Sequence, residues 1–221
     1  MYTQLNSQVI YYEHLGEGEK TLILLHGNGE DHTIFDELCQ ELSQDFDIYA
    51  LDSRGQGLSA TPKEYHYEDM ADDVLNLISS LSIKNPAIFG FSDGGIVALL
   101  AEIKSPGSFS HIIAAGANTT PDALSFSARR EIKREFKKSG NPLSELMLKE
   151  PHISQDALST ISCPTLLLGG QKDLISQKEF KKMEDAIGNS TLEILSGEDH
   201  GSYVIHSAKT ASKMKEFILG I

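Results

Sequence analysis

The chain has 221 residues, 40% of them apolar and 23% charged, a length and balance suited to one well-buried globular core. Nineteen Lys and Arg against 32 Asp and Glu give a formal net charge of −13. That excludes nucleic acid as an expected partner, because its binding depends on cations that neutralise phosphates. It equally disfavours an anionic membrane surface, and no apolar run approaches the roughly 20 residues needed to span a bilayer.

The opening MYTQLNSQVIYYEHLG lacks a basic segment followed by an apolar one, so no signal peptide is expected. Short alternating runs at 2–5 and 8–14, on either side of Asn6-Ser7, predict a β-hairpin. Strand-like and helix-like text then alternates. TLILLH (21–26) reads as a strand and HTIFDELCQELSQ (32–44) as a helix with Ile34, Phe35, Leu38 and Leu42 on one face. FDIYALD (46–52) is a strand and YEDMADDVLNLISSL (67–81) a helix. Residues 87–91 are a buried strand, 95–103 a helix, 111–117 a strand, 164–170 a strand and 176–187 a helix. A strand at 191–197 and a helix at 204–219 close the chain. Continuous apolar strands imply burial on both faces. Their interleaving with helices predicts an α/β fold: one domain over 1–221 with an eight-stranded, mostly parallel sheet and helices on both sides. Residues 120–160, inserted after the sixth strand, hold only helical text and predict a small helical lid.

The cysteines, Cys39 in a predicted helix and Cys163 just before a strand, fit a reduced, cytoplasmic setting with structural thiols. No His/Cys/Asp cluster has zinc spacing, and neither a metal nor a cofactor is expected.

In an open parallel sheet, ligands bind beyond the C-terminal strand ends. The residues after each predicted strand are therefore informative. His26-Gly27-Asn28-Gly29 follows the third and DSRGQGLS (52–59) ends the fourth. Ser92 follows the fifth, Gln171-Lys172-Asp173 the seventh and Glu198-Asp199-His200 the eighth. A serine, an aspartate and a histidine thus reach one edge from three strands. Ser92 sits in GFSDGG, a strand-to-helix turn so sharp that Gly90 and Gly94 are needed for clearance. The helix N-terminus that follows offers N–H groups to developing negative charge.

These motifs resemble the α/β-hydrolase superfamily over nearly the whole chain. Gly90-Phe91-Ser92-Asp93-Gly94 matches the G-x-S-x-G nucleophile elbow, His26-Gly27 the HG motif before the oxyanion loop, and DSRGQGLS the D-x-R-G-x-G-x-S loop. The order Ser92, Asp173, His200 is the one this fold uses. The resemblance implies Ser92 as nucleophile, His200 as general base and acid, Asp173 as its orienting partner, and the backbone N–H groups of Asn28 and Asp93 as the oxyanion hole. Asp122 after the sixth strand, and less so Asp199, remain alternatives for the acid. His26, Asp52 and Arg54 read as loop architecture, while Asp31-His32 lies near the oxyanion loop. His14, His66, His111, His152 and His206 are expected to be incidental.

The expected function is hydrolysis of a small-molecule acyl substrate, a carboxylic ester or thioester. Related chemistries on the same scaffold, such as menaquinone-pathway lyases or C–C bond hydrolases, stay open, as does a low-turnover ligand-binding receptor. The oligomeric state is left open. The basic run Arg129, Arg130, Lys133, Arg134, Lys137 and Lys138 reads as a solvated helix face, with Phe126, Ile132 and Phe136 inward, or as an attractor for an anionic substrate. GFSDGG is also similar to the GWSDGG elbow of the valacyclovir-hydrolase group, where amino-acid esters are substrates. A carboxylate at position 93 near the mouth would then favour a cationic group instead.

Overall fold

Alternate residues of the central strands enter two different cores, and this is why those strands read as unbroken apolar runs. In the computed structural model, which describes residues 1–5 and 8–221, the strands are β1 (Tyr2–Leu5), β2 (Gln8–Leu15), β3 (Lys20–Leu25), β4 (Phe46–Leu51), β5 (Ala87–Phe91), β6 (His111–Ala115), β7 (Thr165–Lys172) and β8 (Ser190–Asp199). They form one sheet in the order β1-β2-β4-β3-β5-β6-β7-β8. β1 and β2 pair antiparallel, as the predicted hairpin requires, although its turn at Asn6-Ser7 lies outside the described residues. β2 also runs antiparallel to β4, and every later pairing is parallel.

The helices are α1 (Asp36–Leu42), α2 (Tyr67–Ser80), α3 (Asp93–Lys104), α4 (Phe126–Ser139), α5 (Pro142–Lys149), α6 (Gln155–Leu158), α7 (Gln177–Ala186) and α8 (Ala211–Leu219). Ile23, Leu25, Ile88, Ile112 and Leu167 face one core, shared with Met70, Val74 and Leu77 of α2, Ile96 of α3, and Phe180 and Met183 of α7. Leu22, Leu24, Phe89, Ile113, Leu166 and Leu168 face the other, shared with Leu38 of α1 and Met214 and Ile218 of α8. The period of two assigns each residue of a strand to a side.

Three local departures from the expected elements have physical causes. Helical text over 32–44 divides into a 3₁₀ turn (His32–Phe35), capped by Asp31 accepting from Thr33 N–H, and α1. The expected closing helix starts at Ala211 rather than 204. Before it, Tyr203 and Val204 are buried in the second core, and His206, at φ +47°, donates its backbone N–H to the Ile34 carbonyl at 2.8 Å. Tertiary docking overrides helical periodicity there. The sixth strand stops at Ala115 rather than 117, because Gly116 turns to φ +65°.

The β6–β7 connection runs through a 3₁₀ turn (Pro121–Ala123), α4, α5 and α6. Ala128, Ile132 and Phe136, spaced by four, form the less exposed stripe of α4. Phe126 is not part of it. It is 84% exposed, because as the first residue of the helix it stands roughly 160° around the axis from Ala128.

Phe89 is fully buried in the central strand, edge-on to Phe35 at a 6.0 Å ring separation. Phe89→Ala is expected to lower unfolding free energy by about 3–5 kcal/mol in urea denaturation. A loss under about 1 kcal/mol would contradict this placement of the core.

Candidate active site

Ser92 occupies the single-residue turn between β5 and α3 at φ +52° and ψ −115°. A residue other than glycine held there carries a strain of about 1–3 kcal/mol. The surroundings enforce it. Ser92 N–H donates to the Ala115 carbonyl at 2.7 Å, and the Ser92 carbonyl accepts the first helical bonds from Gly95 and Ile96. A Cβ at Gly90 would collide with the Gly94 carbonyl oxygen, and one at Gly94 with the Leu25 carbonyl oxygen. Strand and helix therefore close only because both positions lack a side chain.

His200 Nε2 lies 3.0 Å from Ser92 Oγ, and His200 Nδ1 lies 2.7 Å from Asp173 Oδ1. The Asp173 carboxylate is inaccessible to solvent. It accepts two further bonds, Oδ2 from Gly170 N–H at 3.0 Å and Oδ1 from Ile175 N–H at 2.9 Å. Of the three candidate acids, only Asp173 meets His200. Asp122 is exposed and pairs with Arg129. Asp199 is exposed and accepts from the backbone N–H groups of Gly201 and Ser202. The imidazole packs on Phe91, with ring centroids 5.1 Å apart. A Cβ at Gly116 would stand 2.8 Å from His200 Cε1, so that glycine leaves room for the ring. In the sequence it is only a glycine inside the expected strand 111–117.

The loop after β3 is braced from several sides. Gly27 N–H donates to Glu30 Oε2, and Gly29 N–H to Gln56 Oε1. Among the described residues, no hydrogen bond takes the Asn28 N–H between them. Asp93 opens α3, so its N–H has no carbonyl one turn back. His26 is buried, with Nδ1 2.7 Å from the Gly27 carbonyl and Nε2 accepting from Ser53 N–H, and burial pushes its pKa down. Arg54 is held by Asp69 and Asp73. These residues hold loops, as their positions in the sequence suggested. Asp31, His32 and Asp52 bring three ligand-type atoms within 4.8 Å of one another. Asp52 is already occupied, however, accepting from His32 N–H, His32 Nδ1 and Leu58 N–H, so the trio is a loop brace.

A cavity of about 320 Å³ opens over Ser92 and His200. Its walls include Phe91, Ala128 and Ile132 of α4, Met147 of α5, Leu174 and Ile205. Two acidic side chains line it, Glu30, whose pKa burial raises, and Glu131. None of the six α4 cations lines this cavity, although Arg134 pairs with Glu131 of its wall at 3.3 Å. The expected carboxylate at the mouth is corrected. The Asp93 side chain is only 5% exposed and is turned to Asn28 and Tyr67. Glu30 was not singled out in the sequence, where one acid in a loop carries no periodic signal.

Residues 20–141 match the alpha/beta hydrolase fold family. Serine hydrolase BPHL of Mus musculus is 30% identical over 199 residues, covering 76% of this chain and 68% of that protein. The pimeloyl-[acyl-carrier protein] methyl ester esterase of Aliivibrio fischeri is 22% identical, with 95% and 97% covered. Among solved structures, a thermophilic esterase from Thermogutta terrifontis superposes with a TM-score of 0.83 over 100% of this chain and 98% of that one, at 22% identity. With its parallel sheet, sharp serine turn and family match over more than half its length, the chain belongs to the α/β-hydrolase fold family and is a hydrolase.

Proposed function

We propose that the chain is a serine hydrolase that cleaves a small carboxylic ester or thioester through an acyl-enzyme. The observation that carries this reading is the hydrogen-bonded line Ser92–His200–Asp173, with separations of 3.0 and 2.7 Å. In the proposed reaction, His200 Nε2 takes the Ser92 hydroxyl proton while Oγ attacks the acyl carbonyl. His200 then returns that proton to the departing alcohol or thiol as the C–O or C–S bond breaks. Water repeats the sequence on the acyl-enzyme, releasing the acid and free Ser92. Asp173, held by two backbone N–H groups, keeps the imidazole oriented and stabilises its cation. Asn28 and Asp93 N–H groups receive the tetrahedral oxyanion, where a single donor is worth about 2.7–4 kcal/mol.

The helical segment 120–160 acts as the lid of this site. Ala128, Ile132 and Met147 supply apolar wall, and the volume of about 320 Å³ suits a modest acyl group. Relatives named as a serine hydrolase and a methyl ester esterase support the ester reading. The proposed setting is a reduced one, the cytoplasm, in keeping with buried, unpaired Cys39 and Cys163. No helix among the described residues is long and apolar enough to cross a membrane.

Multiple turnover of short-chain p-nitrophenyl esters tests the reading. Wild type is expected to turn over, and Ser92→Ala to lose roughly a millionfold in kcat. Equal rates for the two would refute it. Glu30 and Glu131 further imply that an ester bearing a carboxylate binds less well than its neutral isostere. One such repulsion across about 4 Å of watery surroundings is worth about 1 kcal/mol, roughly a fivefold rise in KM. Glu131→Gln is expected to narrow that gap, and a lower KM for the anionic ester would contradict the proposed charge preference.

A further inference from the structure

The Asn28 side chain uses both of its amide protons. Nδ2 donates to Asp93 Oδ2 at 2.7 Å and to the Leu143 carbonyl at 3.3 Å. The oxyanion loop is thereby joined to the first residue of α3 and to the second residue of α5. Asp93 is buried and also receives a hydrogen bond from the hydroxyl of Tyr67, a buried residue at the start of α2. Burial pushes the Asp93 carboxyl up to about 6, while Asn28 and Tyr67 act in the opposite direction. Burying such a group costs free energy unless donors compensate, and no step of the proposed reaction transfers a proton to or from it.

What this carboxylate grips is the side chain of the other residue whose backbone N–H would face the oxyanion. The two lie 65 residues apart in the chain and are joined by this bond. Asn28 is flanked by Gly27 and Gly29, the latter at φ +74°, so the backbone there is permissive and its orientation depends on side-chain braces, His26 Nδ1 on the Gly27 carbonyl at 2.7 Å among them. An oxyanion hole acts only if its donors are already aimed when charge develops.

We propose that the Asp93 carboxylate is a positioning group for the reaction: by holding Asn28 Nδ2 it sets the mutual geometry of the two backbone N–H groups that receive the oxyanion. This inference rests on the serine hydrolase reading above. It assigns to the Asp93 side chain a task distinct from that of its own N–H. It also explains why an acid follows the nucleophile without lining the cavity.

The test exploits the fact that side-chain truncation leaves both N–H donors in the chain. With p-nitrophenyl acetate as substrate, Asn28→Ala and Asp93→Ala are each expected to lower kcat roughly tenfold to hundredfold, the scale of a misplaced catalytic group. KM is expected to stay within about threefold of wild type, because the loss falls on the transition state. The double variant is expected to be no worse than the poorer single one, since both remove the same bond. Asp93→Asn keeps an oxygen that can accept from Asn28 Nδ2 and is expected to recover most of the loss. Wild-type kcat in Asn28→Ala, or losses that multiply in the double variant, would overturn the proposal. If Asp93→Ala fails to fold, Asn28→Ala on the half-buried loop decides alone. A wild type as inert as Ser92→Ala would instead remove the underlying reading and this one with it, an outcome distinct from active enzyme with unaffected variants.

Discussion

Everything at the C-terminal edge of this sheet depends on the backbone of one residue. Ser92 is held at φ +52° between β5 and α3, a conformation that lifts its hydroxyl clear of both elements and toward His200. The strain of about 1–3 kcal/mol is sustained by a large core on each side of β5 and by the close contact of Gly90 with Gly94. A methyl group at Gly90 would push α3 away from β5, and one at Gly94 would push it away from the end of β3. The distance to the imidazole would change with it, so the packing of the sheet and the proposed chemistry share one constraint.

The second anchor is Asp173, fully shielded and fixed by Gly170 and Ile175 N–H groups. Such a carboxylate cannot follow the histidine if the latter drifts. The histidine is instead brought to it, by the loop after β8, by Phe91 beneath the ring and by the space left at Gly116. Rigid strands thus fix the serine and the acid, while short loops deliver the imidazole. Glu30 and Glu131 lie in the cavity wall, Glu131 paired with Arg134, and the cations of α4 lie outside that wall.

Much of this was legible in the sequence, for identifiable reasons. Residues 22–25 of β3 and all of β5 are buried on both faces, so they are apolar without interruption. The serine turn is written in glycines whose absence of side chains is a steric requirement, and the serine, aspartate and histidine each follow a strand. What was not legible depends on distant contacts. The bond from His206 N–H to the Ile34 carbonyl delays α8, and nothing near 206 encodes Ile34. The direction of the Asp93 side chain was misjudged because its partners, Asn28 and Tyr67, come from two other elements. Phe126 was placed inward on composition, yet the helical phase set by Ala128 and Ile132 turns it outward. Strand ends recorded which residues meet, whereas side-chain direction was settled by packing.

The most direct test of the convergence of Ser92, His200 and Asp173 is the site at which a fluorophosphonate reacts with the folded protein, mapped by peptide mass spectrometry. A single adduct is expected on Ser92, formed at least a hundredfold more slowly when His200 is replaced by Ala, on the scale of general-base assistance of about 10²–10⁴. Modification of another residue, or a folded chain that stays unlabelled, would contradict the account.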